Sequence, residues 1–169
     1  MRIAPVFALL LAALLSASCS SHTPRLEPAA QWVLMPITNY SKDEQAPIQL
    51  ASMVSDAMAG LGITDLPQMP ETDTQGSTPQ LHQAHRQQQA LQWAAQRNAD
   101  YRVQGSVSVW GINSQGRAEV EVGLEVIQQA DGAPLWQTRI AAAGRRGESP
   151  AELARRLVGD GLSSLPLDR

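Results

Sequence analysis

The chain opens with an apolar block, Ile3 to Leu15, behind the single charge of Arg2, and from residue 31 onward its apolar positions change period several times. Gln31 to Tyr40 is an extended apolar run in which Pro36 predicts an edge, a bulge or a strand end. From Pro47 the period becomes helical, through Leu50, Val54, Ala57, Met58 and Leu61, until Gly60 and Gly62 stop it. Ile63 to Leu66 reads as a short second strand, and residues 67–79, rich in Pro, Thr, Gln and Gly, read as a loop. Residues 80–98 lack Gly and Pro and predict a Gln-rich helix with a narrow apolar stripe through Leu81, Ala84, Leu91 and Ala95.

Strict alternation then takes over. Tyr101, Val103, Gly105, Val107 and Val109 form one half-buried strand, and Val120, Val122, Leu124 and Val126 a second, separated by the turn Asn113-Ser114-Gln115-Gly116. After Asp131-Gly132, Leu135 to Ala143 is a third. Ser149-Pro150-Ala151-Glu152 supplies a cap serine, a first-turn proline and a third-position glutamate, opening a helix with a stripe through Leu153, Leu157, Val158, Leu162 and Leu165. The expected order is β-α-β-α-β-β-β-α. This is an α/β domain whose mixed sheet ends in an antiparallel meander and is covered by three helices.

The N-terminal block is shorter than the roughly 20 residues that span a bilayer, so it predicts a secretion signal and not a permanent membrane helix. Leu15-Ser16-Ala17-Ser18-Cys19 resembles a bacterial lipobox, although Ser16 stands where leucine is usual. The organisation expected is a lipoprotein signal peptide over 1–18, a lipidated N-terminus and tether over 19–30, and a single α/β domain over 31–169. The alternative is ordinary cleavage nearby, leaving Cys19 as an unpaired thiol in an oxidising compartment. Ser20, in place of a retention aspartate, directs the lipidated chain to the outer membrane by the same resemblance.

Charge narrows the function classes. The chain carries 13 basic and 16 acidic residues, and loss of Arg2 with the signal leaves 12 against 16. That acidity argues against a nucleic-acid surface. Lys42 is the only lysine, which leaves one poor candidate for Schiff-base or phosphate-loop chemistry. His82 and His85 stand three apart on a predicted helix without a third ligand nearby, so no metal or other cofactor is expected. Glu119 and Glu121 neighbour one another on a strand, whereas glycoside hydrolysis needs carboxylates across a cleft. The chain is expected not to be an enzyme.

Trp32-Val33-Leu34-Met35-Pro36-Ile37-Thr38-Asn39-Tyr40-Ser41 resembles the opening strand of small periplasmic lipoproteins whose domain is like the N-terminal domain of TolB, a group that includes LpoB-type activators and CsgG-type secretion lipoproteins. Ala90 to Ala94, Tyr101 to Val107 with Trp110, Val122 to Val126 and Pro134-Leu135-Trp136 are similar to the PelC-type outer-membrane lipoproteins of Pel exopolysaccharide export. The resemblance implies a lipid-anchored homo-oligomer, a dodecameric ring on the periplasmic face of the outer membrane. Its acidic surface would guide a cationic polysaccharide toward a PelB-like channel for the biofilm matrix. The other reading of the same fold is a monomeric activator of a peptidoglycan synthase, which the short tether disfavours.

The resemblance also makes Trp136 a membrane-contact candidate, since an indole suits a bilayer interface; a strand tryptophan packed under a helix is the other reading. Trp32 and Trp93 are expected in the core. Asp43, Glu44, Glu71, Asp73, Glu119 and Glu121 are candidates for attracting the polymer. For the strand glutamates, Glu125 included, the commoner reading is structural, as cross-strand pairs with Arg102 and Arg139.

Overall fold

The computed structural model describes residues 25–70 and 79–168, with only the backbone of 79–83. The elements are β1 (Trp32–Leu34), β2 (Thr38–Asn39), α1 (Ala46–Gly60), α2 (Pro79–Gln96), β3 (Tyr101–Ile112), β4 (Arg117–Gln128), β5 (Pro134–Arg146) and α3 (Pro150–Leu162). The sheet runs β1-β3-β4-β5, with β2 beside β1 on the same flank of β3. Both short strands pair parallel with β3, Trp32 opposite Tyr101 and Thr38 opposite Ser106, while the meander β3-β4-β5 is antiparallel. This is the mixed sheet with three helices that the periodicity predicts.

Two features depart from the expected order. Pro36 splits the first strand into β1 and β2, and the gap is held by α2: Gln87 donates from Nε2 to the Pro36 carbonyl at 2.9 Å and to Thr38 Oγ1 at 3.3 Å. Ile63 to Leu66 forms no strand. The adjoining Gln68 makes a single parallel bridge with Leu34, and the Leu34 amide donates to the Pro67 carbonyl at 3.0 Å. Pro67 has no amide to return, and Pro70 lacks one as well, so the ladder stops at one rung.

Alternation along the meander puts Val103, Val107 and Trp110 of β3 and Ala118, Val120, Val122, Leu124 and Val126 of β4 on one face, where α1 and α3 cover them. A buried aliphatic side chain of this kind contributes about 1.5–3 kcal/mol. On the reverse side, Ala90 and Ala94 of α2, with Ala99 just beyond it, pack against Val33 of β1 and the adjoining Met35. The expected α2 stripe is therefore wrong in position: Ala84, Leu91 and Ala95 are exposed, and alanines at i and i+4 make the contact. The helix lies close against a surface already filled by Val33 and Met35, and small side chains permit that approach.

The chain enters the fold earlier than residue 31. Leu26 is fully buried and forms a parallel bridge with Leu167, and the Trp32 indole Nε1 donates to the Glu27 carbonyl at 3.0 Å. The span read as a tether thus contributes its last residues to the domain.

Candidate functional site

The strand directions give the sheet two distinct ends. Tyr101 pairs with Gln128, and the chain turns from there into Pro134, so this end lies beside the joined termini at Leu26 and Leu167. Ile112, Arg117 and Arg146 mark the opposite end, reached also by the loop from Tyr40 to Gln45 that leaves β2. We call these the terminal end and the distal end.

Trp136 lies toward the terminal end. It faces Val126 across the β4–β5 ladder, packs half-buried against the main core, and donates from Nε1 to Ser164 Oγ at 3.3 Å just beyond α3. Its ring is thus held under the helix while one edge reaches the surface at that end. Trp32 is buried, its ring 4.6 Å from that of Tyr101. Trp93 is half-buried, with the Arg97 guanidinium 4.7 Å from its ring centroid.

The acidic candidates gather toward the distal end. Glu44 and Glu119 are exposed. Asp43 is half-buried and works locally, Oδ1 accepting from the Gln45 amide at 2.8 Å while its carbonyl accepts from Asn39 Nδ2 at 2.9 Å. Glu121 is not a free acid, because Arg139 of β5 clasps its Oε1 through Nε at 2.7 Å and also through Nη2. Burial pulls the Arg102 guanidinium below its ordinary range, and the Glu125 charge partly offsets this. The cross-strand pairing expected of the strand glutamates is present at Glu121. Cys19, Glu71 and Asp73 lie outside the described residues.

Basic residues share the distal end, a feature composition alone did not reveal. Arg117 and Arg146 are directly opposite on β4 and β5, Arg145 precedes Arg146, and all three are exposed. Arg117 Nε donates to the Gly144 carbonyl at 2.8 Å, and among the described residues Arg117 enters no ion pair. The consecutive pair Arg145-Arg146 is visible in the sequence, but only the register sets it against Arg117.

Between the ends, no helix among the described residues covers the outer face of β3–β5. Gln104, Ser106, Glu125 and Arg139, with Thr38 and the exposed Tyr40, line an open groove of about 740 Å3. Among the described residues no three His, Cys, Asp or Glu side chains are grouped as a metal would require. The surface offers hydrogen bonding and charge across a broad face.

This three-layer arrangement, with two helices on one face of a short mixed sheet and one on the other, is a fold found in small bacterial lipoproteins. The chain is similar to the PelC dodecamer from Paraburkholderia phytofirmans, at 24% identity and TM-score 0.71 over 86% of this chain and 94% of that one. A variant PelC dodecamer from the same organism matches at 23% and 0.69 over 85% and 93%. Lipoprotein GNA1162 from Neisseria meningitidis matches at 16% and 0.51, over 79% of this chain and 96% of that one. No family model matches the chain, and no curated protein does. The likeness to PelC and to a lipoprotein fold is the one the sequence resemblance named.

Proposed function

We propose that the chain is a non-enzymatic outer-membrane lipoprotein that assembles into a periplasmic ring and assists export of a cationic, Pel-type exopolysaccharide through a PelB-like channel. The observation that supports this reading best is the fold likeness to the PelC dodecamer over nearly the whole of both chains. Cys19 is the lipid anchor. From Cys19 to the bridge at Leu26 there are seven residue steps, a reach of about 25 Å at full extension. So short a tether turns the terminal end toward the membrane and brings Trp136 with it. The distal end then faces the periplasm and carries Asp43, Glu44 and Glu119; Glu71 and Asp73 are assigned the same role. Carboxylates repeated around a ring concentrate a polycation over a Debye length, about 8 Å at physiological salt. Glu121 contributes less, being paired with Arg139.

The test is complementation of a Pel-secreting bacterium that lacks its own PelC. The full chain restores extracellular polymer and the Cys19→Ser variant does not. Failure of the stably expressed, membrane-localised full chain to restore secretion overturns the reading.

A further inference from the structure

The two lateral edges of the sheet carry opposite charge. On the β2–α1 side, residues 38–60 hold one lysine, Lys42, against Asp43, Glu44 and Asp56. On the β5–α3 side, residues 134–162 hold five arginines against Glu148, Glu152 and Asp160. Two of those three carboxylates are already engaged: Glu148 Oε1 accepts from Arg156 Nη2 at 3.2 Å, and Glu152 closes the cap with Ser149. Among the described residues Arg146 enters no ion pair, and it stands across from Arg117, an arrangement that is itself unfavourable.

β5 is also an open edge. It is 13 residues long and, among the described residues, pairs only with β4. Between Arg139 and Arg145 the run Ile140-Ala141-Ala142-Ala143-Gly144 contains no charge or proline to deter another strand or loop from approaching. β3 and β4 separate this edge from β2, placing the two charged flanks on opposite sides of a sheet about 14 Å wide.

We infer that the β5 flank, through Arg145 and Arg146, docks on the Asp43–Glu44 loop of a second copy of this chain, each copy using one flank to receive and the other to insert. Opposite surfaces on opposite sides of one protomer make a head-to-tail contact, which generates a ring when the rotation closes. An isologous dimer would instead set arginine against arginine. The inference rests on the ring reading above and names the surfaces that build it. On this interface Asp43 and Glu44 serve the neighbouring copy, so that of the described polymer-attracting candidates Glu119 is the exposed one that stays free for the polymer.

The experiment uses the full chain in detergent, with mass read by light scattering after size exclusion. The Arg145→Gln, Arg146→Glu variant and the Asp43→Asn, Glu44→Arg variant each run as a single chain, while an equimolar mixture of the two assembles, because each supplies the flank the other lacks. Folding of the first is protected, since Arg146→Glu places an acid opposite Arg117; circular dichroism checks both. If the unmodified chain assembles and either variant alone assembles equally well, this interface is wrong and the ring reading stands. If the two variants stay single when mixed, the charge complementarity is wrong. If the unmodified chain remains single at every concentration, the ring reading fails and the interface with it.

Discussion

Leu26 and Leu167 form a parallel bridge that fastens the first and last described segments to one another at the edge of the core. The Leu26 amide donates to the Pro166 carbonyl at 2.9 Å, the Asp168 amide donates to the Leu26 carbonyl at 2.8 Å, and the Leu26 side chain is fully buried. Leu26→Ala therefore lowers stability by about 3 kcal/mol, within the usual range for a buried leucine. Urea unfolding of the full chain measures it, with the slope unchanged. Arg25 and Asp168 are 3.3 Å apart but largely exposed, so Arg25→Ala changes stability by less than about 1 kcal/mol. A small effect at Leu26 would mean that the domain starts later than the bridge indicates.

The start of α3 gives a prediction in pH. Ser149 Oγ accepts from the Glu152 amide at 3.2 Å, and Glu152 Oε2 accepts from the Ser149 amide at 2.8 Å, so two otherwise orphaned donors are satisfied reciprocally. The Ser149 backbone bond holds the Glu152 carboxyl below its ordinary value of 4.5. The Arg145 backbone bond does the same for Glu148. Both folded-state values are depressed, so their stabilisation is fully present above about pH 4.5 and is lost as pH falls through the folded values. Thermal unfolding followed from pH 6 to pH 3 shows this decline, and Glu152→Gln makes it shallower. Ser149→Ala at neutral pH costs about 1 kcal/mol.

How much of this was legible in the sequence follows from the range over which each signal acts. The meander was legible because alternation is local and its turns carry Asn-Ser-Gln-Gly and Asp-Gly. The α3 cap was legible for the same reason, since Ser149, Pro150 and Glu152 sit within four residues. Pro36 signalled an interruption but not that both halves of its run would pair with β3, which depends on Gln87 reaching across from α2. The buried face of α2 was misread because Leu91 outweighs Ala90 in any apolar count, while distance from β1 selects the smaller residue. Of the distal end, the acids could be named individually; the opposition of Arg117 and Arg146 required a register between residues 29 positions apart.

Gly161 of α3 lies over Ile140 of β5. A Cβ on Gly161 would collide with Ile140 Cδ1 and lie 3.5 Å from Thr138 Cγ2. Replacing glycine by alanine in a helix gains about 1 kcal/mol in propensity, while overpacking costs about 1–3 kcal/mol. The atom met is the free end of the Ile140 side chain and not the strand itself, so Ile140 turns aside at a cost of about 0.5–1.5 kcal/mol that offsets the propensity gain, and Gly161→Ala changes stability by less than about 1 kcal/mol. Ile140→Val removes the colliding methyl, so the double variant is more stable than the sum of the two single effects. A double-mutant cycle read by urea unfolding gives that coupling directly, and strict additivity would show that Ile140 turns aside without cost.

Trp136 combines packing under α3 with a polar edge at the terminal end, and the two roles separate by substitution. Trp136→Ala loses half-buried ring area and the bond to Ser164, costing about 2 kcal/mol, below the 3–5 kcal/mol of a fully buried tryptophan. Trp136→Phe keeps most of the packing and removes the indole. With the full chain anchored in vesicles containing brominated lipid, quenching of tryptophan fluorescence reports ring contact with the bilayer. Trp32 and Trp110 are buried at 1% and 7% exposure, so neither is accessible to the quencher. The quenched fraction is expected to fall sharply in Trp136→Phe, as an indole at the interface requires. Equal quenching in the variant would assign the contact to Trp93 instead and leave Trp136 a packing residue alone.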